Sequence, residues 1–119
     1  MNAPVNPSDV AKHLGALAGD LSDTVRQLEV ADMDATEKRH AHNLAYSRAF
    51  LVATGAMELR KHTAIEATAD NSLTADVADA VVRHLKRRID EIKTRIDVGR
   101  SYGSAIKAEL EYLKSGVST

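Results

Sequence analysis

Ala78, Val82, Leu85, Ile89, Ile92, Ile96, Gly99, Gly103, Ile106, Leu110 and Leu113 are separated by intervals of four and three in strict alternation. A seam repeating every 3.5 residues keeps one edge of an α-helix against a partner helix. On a straight helix such a repeat drifts by about 20° per heptad, so holding it this long predicts left-handed supercoiling against another helix. The partner is either an earlier helix of the same chain or a second copy. A helix from Ser72 to Lys114 would be about 65 Å long at 1.5 Å per residue, so earlier helices cover it only by folding back along it. Association through the uncovered part is the expectation, with Val82, Leu85, Ile89, Ile92, Ile96, Gly99, Gly103 and Ile106 as the candidate association seam.

Gly99 and Gly103 have two readings. Missing side chains permit a close approach of helices; alternatively, Gly99 ends one helix and Ser101 caps the next. The helix competitors between Ser101 and Ser104 tilt the expectation toward a break or hinge.

Upstream of the seam, Pro4 and Pro7 are the only prolines, so nothing later forbids long helices. Ser8 precedes a stripe of Val10, Leu14, Leu17, Leu21, Thr24 and Leu28, although Gly15 and Gly19 make this first helix dependent on packing. The stripe is lost at Ala31-Asp32-Met33-Asp34, and Asp34 with Glu37 resembles a capping arrangement, which places a joint there. A second helix from Ala35 to Ala53 carries Phe50 as a core anchor. Thr54-Gly55 interrupts it, and Ala56 to Thr68 is either a kinked continuation or a short separate helix. Asp70-Asn71-Ser72 reads as a turn, with Ser72 or Thr74 capping the long C-terminal helix.

The expected fold is all-α: a helical bundle or hairpin with a long coiled-coil-like C-terminal helix. Residues 1–7 and 115–119 are expected to be flexible tails around a single helical domain, 8–114. Only four aromatic residues are present, Phe50, Tyr46, Tyr102 and Tyr112, so the core must be aliphatic and alanine-rich. The chain has 119 residues and no cysteine, which excludes disulfides, thiolate zinc sites and cysteine nucleophiles. No stretch has the length and apolarity of a membrane span, and the start lacks the pattern of a signal peptide, so a cytoplasmic location is expected.

Little in the residue pattern points to covalent chemistry. His40 and His42 lie two apart and diverge by about 200° on a helix, so they cannot chelate one metal from it, and His62 with Glu66 forms only a lone pair. The metal-protease, phosphate-loop and nucleophile-elbow patterns are missing. Neighbouring carboxylates such as Asp90-Glu91 and Glu109 with Glu111 fall on polar helix faces. Neither a catalytic residue nor a cofactor is expected.

Charge is unevenly distributed. Between Asp20 and Glu37 six acids face one base, Arg26; between Arg83 and Arg100 seven bases, Arg83, Lys86, Arg87, Arg88, Lys93, Arg95 and Arg100, face three acids. Those seven are the candidate contacts to nucleic acid or to a partner. The basic stretch either lines a nucleic-acid backbone, docks on the acidic stretch of the same or another chain, or is a solvated coiled-coil exterior.

The strings Ala45-Tyr46-Ser47-Arg48-Ala49-Phe50-Leu51, Thr54-Gly55, Arg60-Lys61, Thr68-Ala69, Arg95-Ile96-Asp97-Val98-Gly99-Arg100-Ser101 and Ala108-Glu109 occur in this order. Over roughly residues 44–110 the chain resembles small helical proteins of tailed phages and prophages, from early regions that also encode single-strand annealing, single-strand binding or replication proteins. No activity and no catalytic residue come with this resemblance. Taken with the long seam and the absence of a pattern for covalent chemistry, it leads to the expectation of a non-enzymatic, oligomeric accessory protein of phage DNA recombination or replication, in the cytoplasm of a bacterial host. Its partners would be a phage or host protein, with single-stranded DNA as a further candidate and no membrane. The alternative is a phage-encoded regulator or inhibitor that binds a host protein.

Overall fold

The computed structural model describes residues 6–117, of which 95% are helical, with no strand among them. Helix α1 spans Pro7–Val52, α2 spans Met57–Ala67 and α3 spans Ala69–Val117. The fold is all-α, of the hairpin or bundle kind, with a long C-terminal helix. Helix thus reaches into both expected tails; residues 1–5, 118 and 119 of those tails lie outside the described residues. At the start of α1 the Asn6 carboxamide oxygen accepts from the Asp9 backbone N–H at 2.9 Å. With Pro7 in the first helical position, Asn6 rather than Ser8 supplies the side-chain cap.

The described chain divides into two compact units, one of residues 6–25 with 87–117 and the other Arg26–Lys86. In the first, α1 and α3 run antiparallel: Gly99 lies against Leu14 and Gly103 against Val10. Val10, Leu17 and Thr24 of α1 and Ile89 and Ile92 of α3 are buried here. Thr24 sits in this apolar stripe without an unmet polar group, because its Oγ1 donates to the Asp20 carbonyl at 2.7 Å.

In the second unit Ala35, Ala78 and Val82 form the core cluster, with Leu28 and Ala31 packed against it. The expected joint at residues 31–34 is therefore overturned. Ala31 and Ala35 continue the stripe with small side chains, and Asp34 accepts from Lys38 one turn on at 2.8 Å instead of capping a new helix. The first and second expected helices are one, α1.

After Val52 the chain turns through residues 53–56, where Gly55 has φ +105°, a conformation that costs any L side chain steric strain. A Cβ there would also stand 2.8 Å from Leu59 Cδ2. Gly55→Ala is expected to lose about 1–3 kcal/mol, read as a lower thermal midpoint at unchanged helical signal below the transition. Of the two readings of 56–68, the separate short helix is the one observed.

The turn expected at Asp70-Asn71-Ser72 is absent. Those residues, and Thr74, lie inside α3, and the only irregular residue between α2 and α3 is Thr68 (φ −114°, ψ 16°). Its N–H bonds to the carbonyls of Ala64 and Ile65, its Oγ1 donates to Ala64 O at 2.7 Å, and its own carbonyl receives the Ser72 N–H at 2.9 Å. The hydrogen-bond ladder thus passes through the joint, and Ala64, Thr68 and Ala75 are buried around it. Local turn propensity at Asp70-Asn71-Ser72 yields to this continuity.

Candidate interaction surfaces

The association seam is largely occupied within the chain. Val82, Leu85, Ile89 and Ile92 are buried, and Ile96, Gly99, Gly103 and Ile106 are half-buried. Of the two partners open to the seam, an earlier helix of the same chain covers Val82, Leu85, Ile89 and Ile92. Beyond Ile106 the seam is open, with Leu110 and Leu113 about half exposed. The expected break at Gly99 is also overturned. α3 is uninterrupted there, and a Cβ would come within 2.8 Å of Leu14 Cδ2 at Gly99 and 2.9 Å of Val10 Cγ1 at Gly103. These two glycines permit close helix approach.

Phe50 is half-buried and is not the anchor of the core. Its ring stacks on Tyr46 with centroids 6.4 Å apart, and the Arg60 guanidinium lies 4.5 Å from its centroid while donating to the Phe50 carbonyl. This cation–π contact ties α2 to the end of α1.

All seven candidate contacts, Arg83, Lys86, Arg87, Arg88, Lys93, Arg95 and Arg100, are exposed. Arg95 pairs with Glu91 of its own helix at 2.8 Å, and among the described residues the other six make no ion pair. The interhelical ion pairs of the second unit have their base on α1: Arg39 of α1 holds Asp76 at 2.9 Å and Asp79 at 2.6 Å on α3. Hydrogen bonds to Asp76 first and Asp79 second raise the Arg39 pKa above its ordinary value.

Numbering α3 from its seam exposes an order that window sums of charge conceal. The position immediately after Leu85, Ile92, Gly99, Ile106 and Leu113 is Lys86, Lys93, Arg100, Lys107 and Lys114. Four of these, Lys93, Arg100, Lys107 and Lys114, belong to the first unit, are exposed and make no ion pair among the described residues. The corresponding edge of α1, following Val10, Leu17 and Thr24, is Ala11, Ala18 and Val25. In an antiparallel pair those flanking positions face one another, and Arg39 with Asp79 occupies such a pair in the second unit. In the first unit α1 brings no carboxylate to that edge, which leaves the cations without an interhelical partner. The adjacent row of α3 carries Asp90, Asp97 and Glu111. Lys107 and Lys114 escape the sequence reading because they lie beyond the window over which charge is most lopsided; the seven-residue step from Lys86 would have found them.

Two open grooves lie in the second unit. One, of about 570 Å³, is lined by Asp32, Arg39, His40, Asn43, Asp79 and Arg83 among others; the other, of about 390 Å³, is lined by His42, Tyr46, Ile65, Thr68, Ser72 and Asp76 among others. His42 Nδ1 is buried beside the second without a hydrogen-bond partner. Among the described residues no three His, Asp or Glu side chains gather as a metal set, and no helix is long and apolar enough to cross a membrane. Compared with known proteins, the chain matches no protein-family model, no curated protein and no solved structure.

Proposed function

We propose that the chain is a non-enzymatic, oligomeric helical accessory protein of phage DNA recombination or replication, acting through protein contacts and through the backbone of single-stranded DNA. The observation that carries the DNA contact is the row Lys93, Arg100, Lys107 and Lys114, one cation per heptad of α3 with no acidic partner offered by α1. Successive members are spaced by about 10.5 Å along the helix, and cations free of ion pairs release phosphate counterions at no cost in broken bridges. The resemblance to early phage proteins supplies the setting.

The test is anisotropy of a labelled single-stranded oligonucleotide across a salt series. Four phosphate contacts give a slope of log affinity against log salt of about −2.8, from about −0.7 per contact. Lys93→Ala with Arg100→Ala is expected to reduce that slope by about half. Changing Arg87 and Arg88 to Ala, off the row, should lower affinity less. No binding even near 50 mM salt would remove the DNA contact and leave the protein contacts standing.

A regulator that binds a host protein is the second reading. It is favoured by Leu51, Val52, Met57 and Leu59, each more than half exposed around the turn between α1 and α2. Recovery of one host protein by wild type but not by Leu51→Asp with Val52→Asp would select it.

A further inference from the structure

On the outer side of α3 in the second unit, Leu73, Val77 and Val81 form a ridge at four-residue steps and are 63%, 56% and 46% exposed. We infer that this ridge is a homotypic interface, on which a second copy of the chain seats antiparallel about a twofold axis at Val77. The inference specifies the oligomeric part of the proposed function and stands apart from its DNA contact.

Self-complementarity selects this occupant. A twofold axis at Val77 sets Val77 against itself and Leu73 against Val81 of the second copy, so apolar meets apolar along the whole ridge. Asp70 lies seven residues before Val77 and His84 seven after it, both exposed. The axis therefore brings each carboxylate to the imidazole of the other copy. On the flank of the ridge Asp76 and Arg83 are also seven apart and exposed; in an antiparallel pair each Asp76 meets Arg83 of the other copy, as Asp79 meets Arg39 within the chain. Arg83 makes no ion pair of its own among the described residues, and Asp76 engages Arg39 through Oδ1. A parallel pairing would instead set Asp70 against Asp70 and Arg83 against Arg83.

Sedimentation equilibrium of the whole chain is expected to give a dimer at tens of micromolar. Val77→Glu places two carboxylates on the axis and should weaken association at least tenfold, with the helical signal and oligonucleotide binding retained because Val77 lies outside the intrachain core. The absence of native cysteine makes cross-linking diagnostic. Under oxidation Val77→Cys should give a covalent dimer alone, whereas Leu73→Cys should do so only when mixed with Val81→Cys. A monomeric wild type would overturn the inference even if a different protein were found on the ridge. So would a dimer indifferent to Val77→Glu, or a Leu73→Cys chain that cross-links to itself.

Discussion

Ile89→Asp is expected to lower the stability of the folded chain by about 3–5 kcal/mol, a large part of the 5–15 kcal/mol typical of a domain. Ile89 is 8% exposed, so the substitution removes a buried branched side chain and asks a carboxylate to ionise beside apolar neighbours. Because the seam closes within one chain, the loss of helical signal and of melting temperature should be independent of protein concentration. A seam shared between copies would give a loss that shrinks as concentration rises. Val98→Asp is the matched control: Val98 is 64% exposed on the same helix, and a change there should stay within about 0.5 kcal/mol. Equal melting of Ile89→Asp and wild type would show that the seam is not packed.

Gly103→Leu has the next largest effect. A Cβ at that position lands 2.9 Å from Cγ1 of Val10, and Val10 is both buried and stiff at χ1, so it cannot swing aside. Overpacking of this kind costs about 1–3 kcal/mol. Gly99 differs: the atom its Cβ would meet is a terminal methyl of half-buried Leu14, which has rotamers to retreat into. Gly99→Ala should therefore be nearly neutral once the gain in helix propensity of about 1 kcal/mol is set against the contact. Gly15 has nothing within 4 Å of an added Cβ, and Gly15→Ala should gain nearly that full increment. The expected order of melting temperatures is Gly15→Ala above wild type, Gly99→Ala close to it, and Gly103→Leu lowest. A stable Gly103→Leu would mean the helices do not approach at Val10.

The phase of α3 was legible because Val82, Leu85, Ile89, Ile92 and Ile96 are large branched residues whose spacing admits one helical face. The second half of α1 was not, since its stripe passes through Ala31, Ala35 and Lys38, and alanine marks a close contact by its smallness, which a search for large apolar residues passes over. Asp70-Asn71-Ser72 misled for a different reason: turn preference is a local quantity, and the carbonyl of Thr68 already held the Ser72 N–H in a helix. The same distinction governs the surface. Seven exposed bases could be named from a window of charge, but which of them form a row depends on the seam phase, and Lys107 and Lys114 join it only when position replaces composition. The ridge at Leu73, Val77 and Val81 was invisible until the turn expected beside it proved to be helix.

The contacts around the Gly55 turn also imply an order of assembly. Arg60 reaches back only ten residues to the Phe50 carbonyl, whereas Arg39 closes to Asp76 and Asp79 over 37 and 40 residues, and Val10 must find Gly103. Loop-closure entropy rises with each of these separations, so pairing starts at the turn and zips outward, each closure shortening the loop left for the next. During synthesis at about 5–20 residues per second, the start of α1 waits several seconds for the part of α3 that covers Val10. Its glycines and modest propensity then have a use: a first helix that is weak alone presents less of a finished apolar stripe to other nascent chains while its own partner is still being made.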